Sequence, residues 1–107
     1  MIELHLQIRY CDEKGFIEAG LYHDGSVAIR ITSSDTWEPL TTATVCLSEY
    51  DLHPRPGHVF IKDWSENEGM YQCLRAEGIV GEAVEFYDIG YENSCRAYEC
   101  PLLVEVL

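Results

Sequence analysis

Carboxylates are the residues of this chain with the most chemistry to offer. Asp63, Glu66, Glu68 and Glu77 cluster in one stretch, and Glu82, Glu85, Asp88, Glu92, Glu99 and Glu105 follow it. Closely spaced acids can move protons, hold a metal ion or face a basic partner. Glu66 and Glu68 have the type for acid–base work. They fall where a helix begins, however, and carboxylates there complement the helix dipole. A zinc site would need His53, His58, Cys95 and Cys100 to converge, and neither pair has the spacing of zinc ligands. His53-Pro54-Arg55-Pro56-Gly57-His58 reads instead as a stiff loop. Nucleophilic catalysis needs a Cys or Ser beside a His with an orienting acid. His23-Asp24 supplies two of those types, but in a turn, where backbone hydrogen bonding alone explains the Asp. The expectation is a protein that is not an enzyme, with no metal and no cofactor.

What remains is charge. Seven Lys and Arg stand against nineteen Asp and Glu, a net of −12. The imbalance is uneven: residues 1–62 carry nine acids and five bases (−4), whereas residues 63–107 carry ten acids against Arg75 and Arg96 (−8). Such a field repels nucleic acid and attracts Lys/Arg surfaces, including the grooves that hold nucleic acid. Solubility alone is the plainer explanation of an acidic surface. Glu82, Asp88 and Glu92 share one strand parity and Glu85 has the other, so no single strand face carries an even comb of charge. Trp37, in a loop, and Trp64, beside the helix start, are candidate aromatic anchors; Trp64 fits a core lid better.

The elements that must position these side chains are mostly strands. Ile2, Leu4, Leu6, Ile8 and Tyr10 alternate with polar residues, predicting a half-buried strand over 2–10. Cys11 to Gly15 reads as a polar turn and Phe16 to Tyr22 as a second strand, with Gly20 as a candidate bulge. Asp24-Gly25 signals a hairpin into a third strand over Val27–Thr32. Thr41 to Leu47 is rich in β-branched residues and predicts a fourth. Ser48 to Gly57, with Pro54 and Pro56, is excluded from any central strand. A short fifth strand, His58–Lys62, leads into the one convincing helix, at about 65–77. Asp63 with Glu66, or Ser65 with Glu68, has capping-box spacing, and Gly78 suits the C′ position. Gly69 inside that helix costs about 1 kcal/mol relative to Ala and points to close approach of the backbone to the sheet or to a partner, the sheet being the better fit. Strands over 81–91 and 96–107 complete the chain, Pro101 fitting an edge or a bulge. The reading is one α+β domain over 1–107: a mostly antiparallel sheet of six or seven strands with the helix packed on one face.

Five cysteines, Cys11, Cys46, Cys73, Cys95 and Cys100, are odd in number and scattered, unlike a disulfide framework; Cys46 and Cys73 fit small core positions. No apolar run is long enough to span a bilayer, and the N-terminus has no secretory pattern. The chain reads as cytosolic.

The run Phe60-Ile61-Lys62-Asp63-Trp64-Ser65-Glu66-Asn67-Glu68-Gly69-Met70, then Leu74 and Gly78-Ile79-Val80, resembles a family of short uncharacterised proteins of bacterial mobile elements and phages. A Thr-rich strand upstream and a β segment downstream share the resemblance. It implies a setting in the host cytosol, where small acidic proteins inhibit nucleic-acid defences, and no catalytic residues. The expectation is a non-enzymatic inhibitor, an anti-CRISPR or anti-restriction protein. It would press Asp63, Glu66, Glu68, Glu77, Glu82, Glu85, Asp88, Glu92 and Trp37 against a basic partner such as a CRISPR effector or a restriction enzyme subunit. It would bind neither nucleic acid nor membrane and would be a monomer or a homodimer. The alternative is an accessory interaction module of a mobile element with no defence target.

Overall fold

Seven strands and a broken helical segment make up the fold, in a computed structural model that describes residues 2–106. It is α+β, as expected, with the strands divided between a four-stranded sheet in the order β1 (Ile2–Ile8), β2 (Cys11–Leu21), β3 (Val27–Ser33) and β4 (Pro39–Thr42) and a three-stranded sheet in the order β5 (His58–Lys62), β7 (Cys95–Pro101) and β6 (Glu85–Ile89), both antiparallel. The expected ends of the domain, Met1 and Leu107, lie outside the described residues.

In the first sheet, β1 (Ile2–Ile8) follows its alternating pattern and buries Leu4 and Leu6. The turn after it comes earlier than the polar run suggested. Ile8 pairs with Cys11, so Arg9-Tyr10 make the turn, and Tyr10 is exposed rather than facing inward with Leu4 and Leu6. Cys11–Leu21 is continuous strand β2, because β1 and β3 flank it and offer pairing along its length. Its acids are accommodated by partners: Glu13 accepts from Ser33 Oγ (2.7 Å) and Glu18 from Thr32 Oγ1 (2.7 Å). Gly20 pairs with Ala28 in regular register and is no bulge. The Asp24-Gly25 hairpin forms as expected, Gly25 taking φ +86° before β3 (Val27–Ser33). β4 (Pro39–Thr42) pairs with β3 across a register shift.

The expected fourth strand, 41–47, is split because it serves both sheets. Past β4, Ala43 donates to Ile29 of β3 while its carbonyl accepts from Lys62 of β5 (His58–Lys62), and Val45 donates to Phe60. β6 (Glu85–Ile89) and β7 (Cys95–Pro101) are shorter than their hydrophobic patterns, and β7 is central rather than an edge. Pro101 is tolerated there as the last residue of the strand, where its missing N–H interrupts no ladder.

The helical segment covers the expected positions in two pieces: a 3-10 turn, Ser65–Asn67, and helix α1, Met70–Ala76. Gly69 separates them at φ +99°, a left-handed conformation that favours glycine, and it lies against Ile8 of β1. Gly78, at φ +74°, closes α1 as expected: its N–H reaches Arg75 O (3.0 Å) and that of Ile79 reaches Leu74 O (2.9 Å). The segment is stapled to the sheet by Asn67, which is fully buried; its Nδ2 donates to Thr42 O (2.8 Å) and its Oδ1 accepts from Thr41 Oγ1 (2.5 Å).

Met70, Cys73 and Leu74 of α1 enter the main core with Leu4, Leu6, Ile29, Ile31, Ile61 and Cys100. Leu47, Phe60 and Ala97 form a second cluster behind the three-stranded sheet, with Trp64, Tyr87 and Ile89 packed on it. β7 is therefore covered on both faces.

Close packing between β2 and β3 makes a sharp prediction. A Cβ at Gly15 would lie 2.8 Å from Ile31 Cγ2 and 2.9 Å from Thr32 O, whereas one at Gly20 would meet nothing within 4 Å. Gly15→Ala should cost about 1–3 kcal/mol in urea unfolding, and Gly20→Ala should be neutral or stabilising by about 0.5 kcal/mol.

Candidate partner-binding surface

The acids on the helix side are engaged within the fold. Asp63, one residue past β5, accepts from the N–H of Gly69 (3.0 Å) and of Tyr71 (2.8 Å), so one carboxylate caps α1 from six residues upstream. Neither expected capping box forms, because Gly69 sets the true start of α1 and places Asp63 within reach of it. Glu66 pairs with Lys62 Nζ at 2.7 Å, and that bond holds its carboxyl below the ordinary range. Glu68 pairs with Arg9 Nη1 at 2.9 Å, and Glu77 accepts from the backbone N–H of His5.

The acids after the helix divide differently. Asp88 on β6 accepts from Arg96 Nε (2.8 Å) and Nη2 (2.9 Å), which lowers its pKa, and the Arg96 guanidinium also lies 4.1 Å from the Phe86 ring centre. Glu82, Glu85 and Glu92 are exposed and have no basic partner among the described residues. Interleaved with them stand Val84, Phe86 (48% exposed) and Tyr91 (84% exposed). Tyr91 is held outward by a turn in which Gly90, Glu92 and Asn93 all take positive φ. For Glu92 that conformation is uncommon and strained. Residues 82–92 thus present four acids, no base and three exposed apolar side chains.

Glu99 belongs with none of these. It is 1% exposed, not part of the acidic surface, and it accepts from Arg55 Nη1 (2.7 Å) and Arg55 N (2.8 Å) with Tyr87 OH at 3.5 Å. It anchors the proline loop to β7. Trp37 is 61% exposed at φ +64° and stacks on Phe16 at 5.2 Å, at the end of the first sheet. That stack is separate from the aromatic pairs beside β6, which join Phe86 to Tyr98 and Tyr98 to Tyr71.

A polar cluster that pattern reading did not assemble lies between the 22–26 hairpin and the 46–58 loop. Asp24 accepts from Ser26 Oγ (2.5 Å), Ser26 N (3.0 Å) and His53 Nδ1 (3.0 Å) beside a cleft of about 240 Å³ lined also by Arg55, Pro56, His58 and Leu102. His23 Nε2 lies 3.0 Å from Ser48 Oγ, which lies 3.4 Å from Cys46 Sγ. A Ser–His pair and a His–Asp pair are both present, but on different histidines. His53 has the acid without a nucleophile, and His23 the hydroxyl without an orienting acid, so neither completes a triad. The His-Asp-Gly hairpin was visible in the sequence; its two loop partners were not.

Cys100 lies in the main core, where burial pushes its thiol pKa up to about 12, and the five cysteines are all free. Among the described residues no group of three or more His, Cys, Asp or Glu is placed to hold a metal ion. No helix among them is long and apolar enough to cross a membrane. In comparisons with known proteins, no family model, no curated protein and no solved structure matches the chain.

Two stability predictions follow from the acids engaged in the fold. Asp63→Ala should lower unfolding stability by about 1–2 kcal/mol, measured by urea denaturation. Asp24 is held well below the ordinary carboxylate range first by the Ser26 hydroxyl, then by the Ser26 N–H, with His53 adding to both. A lowered folded-state pKa contributes stability above the ordinary Asp pKa of about 3.9, and this is withdrawn as pH falls below it. Ser26→Ala should cost about 1–2 kcal/mol at pH 7, and its deficit against the parent should shrink as the pH is lowered towards 2.

Proposed function

We propose that the chain is a non-enzymatic binding protein of a phage or another mobile element that occupies a basic, nucleic-acid-binding surface of a host defence protein, as an anti-CRISPR or anti-restriction inhibitor. The observation that carries the reading is the composition of 82–92, the segment that contains the outer strand β6: four acids and no base, three of the acids (Glu82, Glu85 and Glu92) without a basic partner among the described residues, with Phe86 and Tyr91 exposed among them. Carboxylates placed so would stand where phosphates stand in a Lys/Arg groove. The aromatic rings would supply the desolvated anchors that charge alone does not provide. The acids of the helix side contribute less on this reading, because Lys62, Arg9 and the α1 backbone already engage Glu66, Glu68 and Asp63. The resemblance of the Phe60–Met70 run supplies the biological setting, and the net charge of −12 supports long-range steering to a basic target.

The test is binding to a purified CRISPR effector, followed across a salt titration. Affinity should fall as salt rises. The triple reversal Glu82→Lys, Glu85→Lys and Glu92→Lys should weaken binding by roughly 100-fold or more with an unchanged melting temperature. Glu66→Gln with Glu68→Gln should change it by less than about threefold, as expected for exposed charges already paired. Binding indifferent to both salt and the triple reversal would overturn the reading.

A further inference from the structure

The sheets have four outer strand edges to satisfy, and among the described residues other elements meet three of them, wholly or in part. On β1, the outward N–H groups of His5, Gln7 and Arg9 go to the Glu77 carboxylate, to Cys73 Sγ (3.4 Å) and to Glu68 O (3.0 Å). On β4, Thr42 O is taken by Asn67, and the outer side of β5 pairs with residues 43–45. That leaves β6.

The register identifies which backbone groups of β6 face outward. Lys62 N–H points away from β7, to Ala43 O, and Asp63 N–H points to Arg96 O of β7. Alternation along an antiparallel ladder then turns the backbone of Tyr98 towards β5 and that of Ala97 towards β6. Tyr87 is the partner of Ala97, so Phe86 and Asp88 on either side of it present their N–H and C=O groups to the open side. In agreement, the Phe86 N–H is taken by the carboxylate of its own neighbour, Glu85, at 3.0 Å.

We infer that β6 binds an extended, basic segment of a partner protein as an added strand, its main chain pairing with Phe86 and Asp88 and its Lys or Arg side chains meeting Glu82, Glu85 and Glu92. The inference rests on the proposed binding function and specifies its mode. Strand addition supplies affinity through the main chain, and side chains on alternate positions supply specificity. Here the available side chains select for positive charge, with Phe86 and Tyr91 flanking the added strand as apolar contacts. Charge also decides against a second copy. Two β6 strands side by side would bring eight acids of residues 82–92 together, four from each copy, with no base in either segment.

The probe is a ten-residue peptide of alternating Lys and Val, followed by calorimetry and by amide exchange of the full chain. The decisive variant is Asp88→Pro. It removes an outward N–H and adds a ring on the open side, leaving the β6–β7 ladder intact; Asp88→Asn controls for the Arg96 pair. The expected results are salt-sensitive peptide binding, new amide protection at Phe86 and Asp88, at least a tenfold loss of affinity in Asp88→Pro, and less than threefold loss in Asp88→Asn. Peptide binding that survives Asp88→Pro but is lost in the triple Lys reversal would overturn strand addition while leaving the acidic-surface reading standing. No peptide binding alongside salt-sensitive effector binding would do the same. Loss of both would overturn both. A dimer in light scattering that Asp88→Pro dissolves would show a second copy on the edge and overturn the basic segment as its occupant. If Asp88→Pro does not fold, an N-methylated peptide that cannot pair along one edge replaces it: unchanged affinity for that peptide overturns the inference, and a tenfold loss supports it.

Discussion

An outer strand carries a row of backbone groups that must find partners or face water, and the architecture of this chain depends on how the row on β1 is met. The helical segment meets it through a match of repeats. Four residues along a helix advance about 6 Å, and two along a strand advance about 6.8 Å, so Cys73 and Glu77 fall opposite the N–H groups of Gln7 and His5. Cys73 suits its place because a thiol both accepts and donates: Sγ takes the Gln7 N–H and offers its own hydrogen to His5 O at 3.5 Å. Burial raises its pKa and keeps it in that neutral form. A helix laid along β1 this way must begin beside Arg9. That position fixes the left-handed step at Gly69 and brings the first N–H groups of α1 to Asp63.

Closing one edge with a helix determines what the other elements can do. Residues 39–45 have to serve two sheets at once, pairing first with β3 and then with β5, and so they carry the chain from the edge of one sheet to the edge of the other. β7 becomes the central strand of the second sheet, buried on both faces, and Glu99 is carried inward with it. A carboxylate in that position is tolerable only with full compensation, which Arg55 and Tyr87 supply. β6 ends the second sheet, with no further strand beyond it among the described residues.

Local chemistry was legible and distant pairing was not. The Asp24-Gly25 hairpin, the alternation of β1, the short β5 and the Gly78 stop each rest on requirements met within a few residues. The Cys11–Gly15 run misled because polarity signals a turn only when no strand pairs with it, and β1 pairs with every residue of it. Capping-box spacing fits Asp63 with Glu66 or Ser65 with Glu68, but Asp63 instead caps across Gly69, a change set by the contact of the helix with β1. Of the surface acids, the sequence placed Glu82, Glu85 and Glu92 correctly outside but could not distinguish them from Glu99, since burial depends on which strand becomes central. Asp24 with His53 and His23 with Ser48 span 29 and 25 residues, beyond the reach of any spacing rule.

The placement of bases gives the acidic excess its structural meaning. Arg9, Arg55, Lys62 and Arg96 are each paired with an acid, and each pair joins elements or braces a strand next to its neighbour. Exposed carboxylates without a basic partner also stand at Glu3, Asp35, Glu38, Glu49 and Glu105, but around β6 the unpartnered Glu82, Glu85 and Glu92 bracket Phe86 and Tyr91, exposed rings that make an open strand prone to sticking. Charge in that position acts in two directions on the proposed reading. It keeps the free chain from pairing with itself, because like charges would meet across the edge, and it lowers the barrier to a partner of opposite sign. Arg96, on the neighbouring strand, is bound to Asp88 and lies over Phe86, so it stiffens the strand without offering a positive charge to an arriving cation. An edge that rejects its own kind and admits a basic strand needs both the open backbone and the acids around it, and β6 is where the fold leaves the two together.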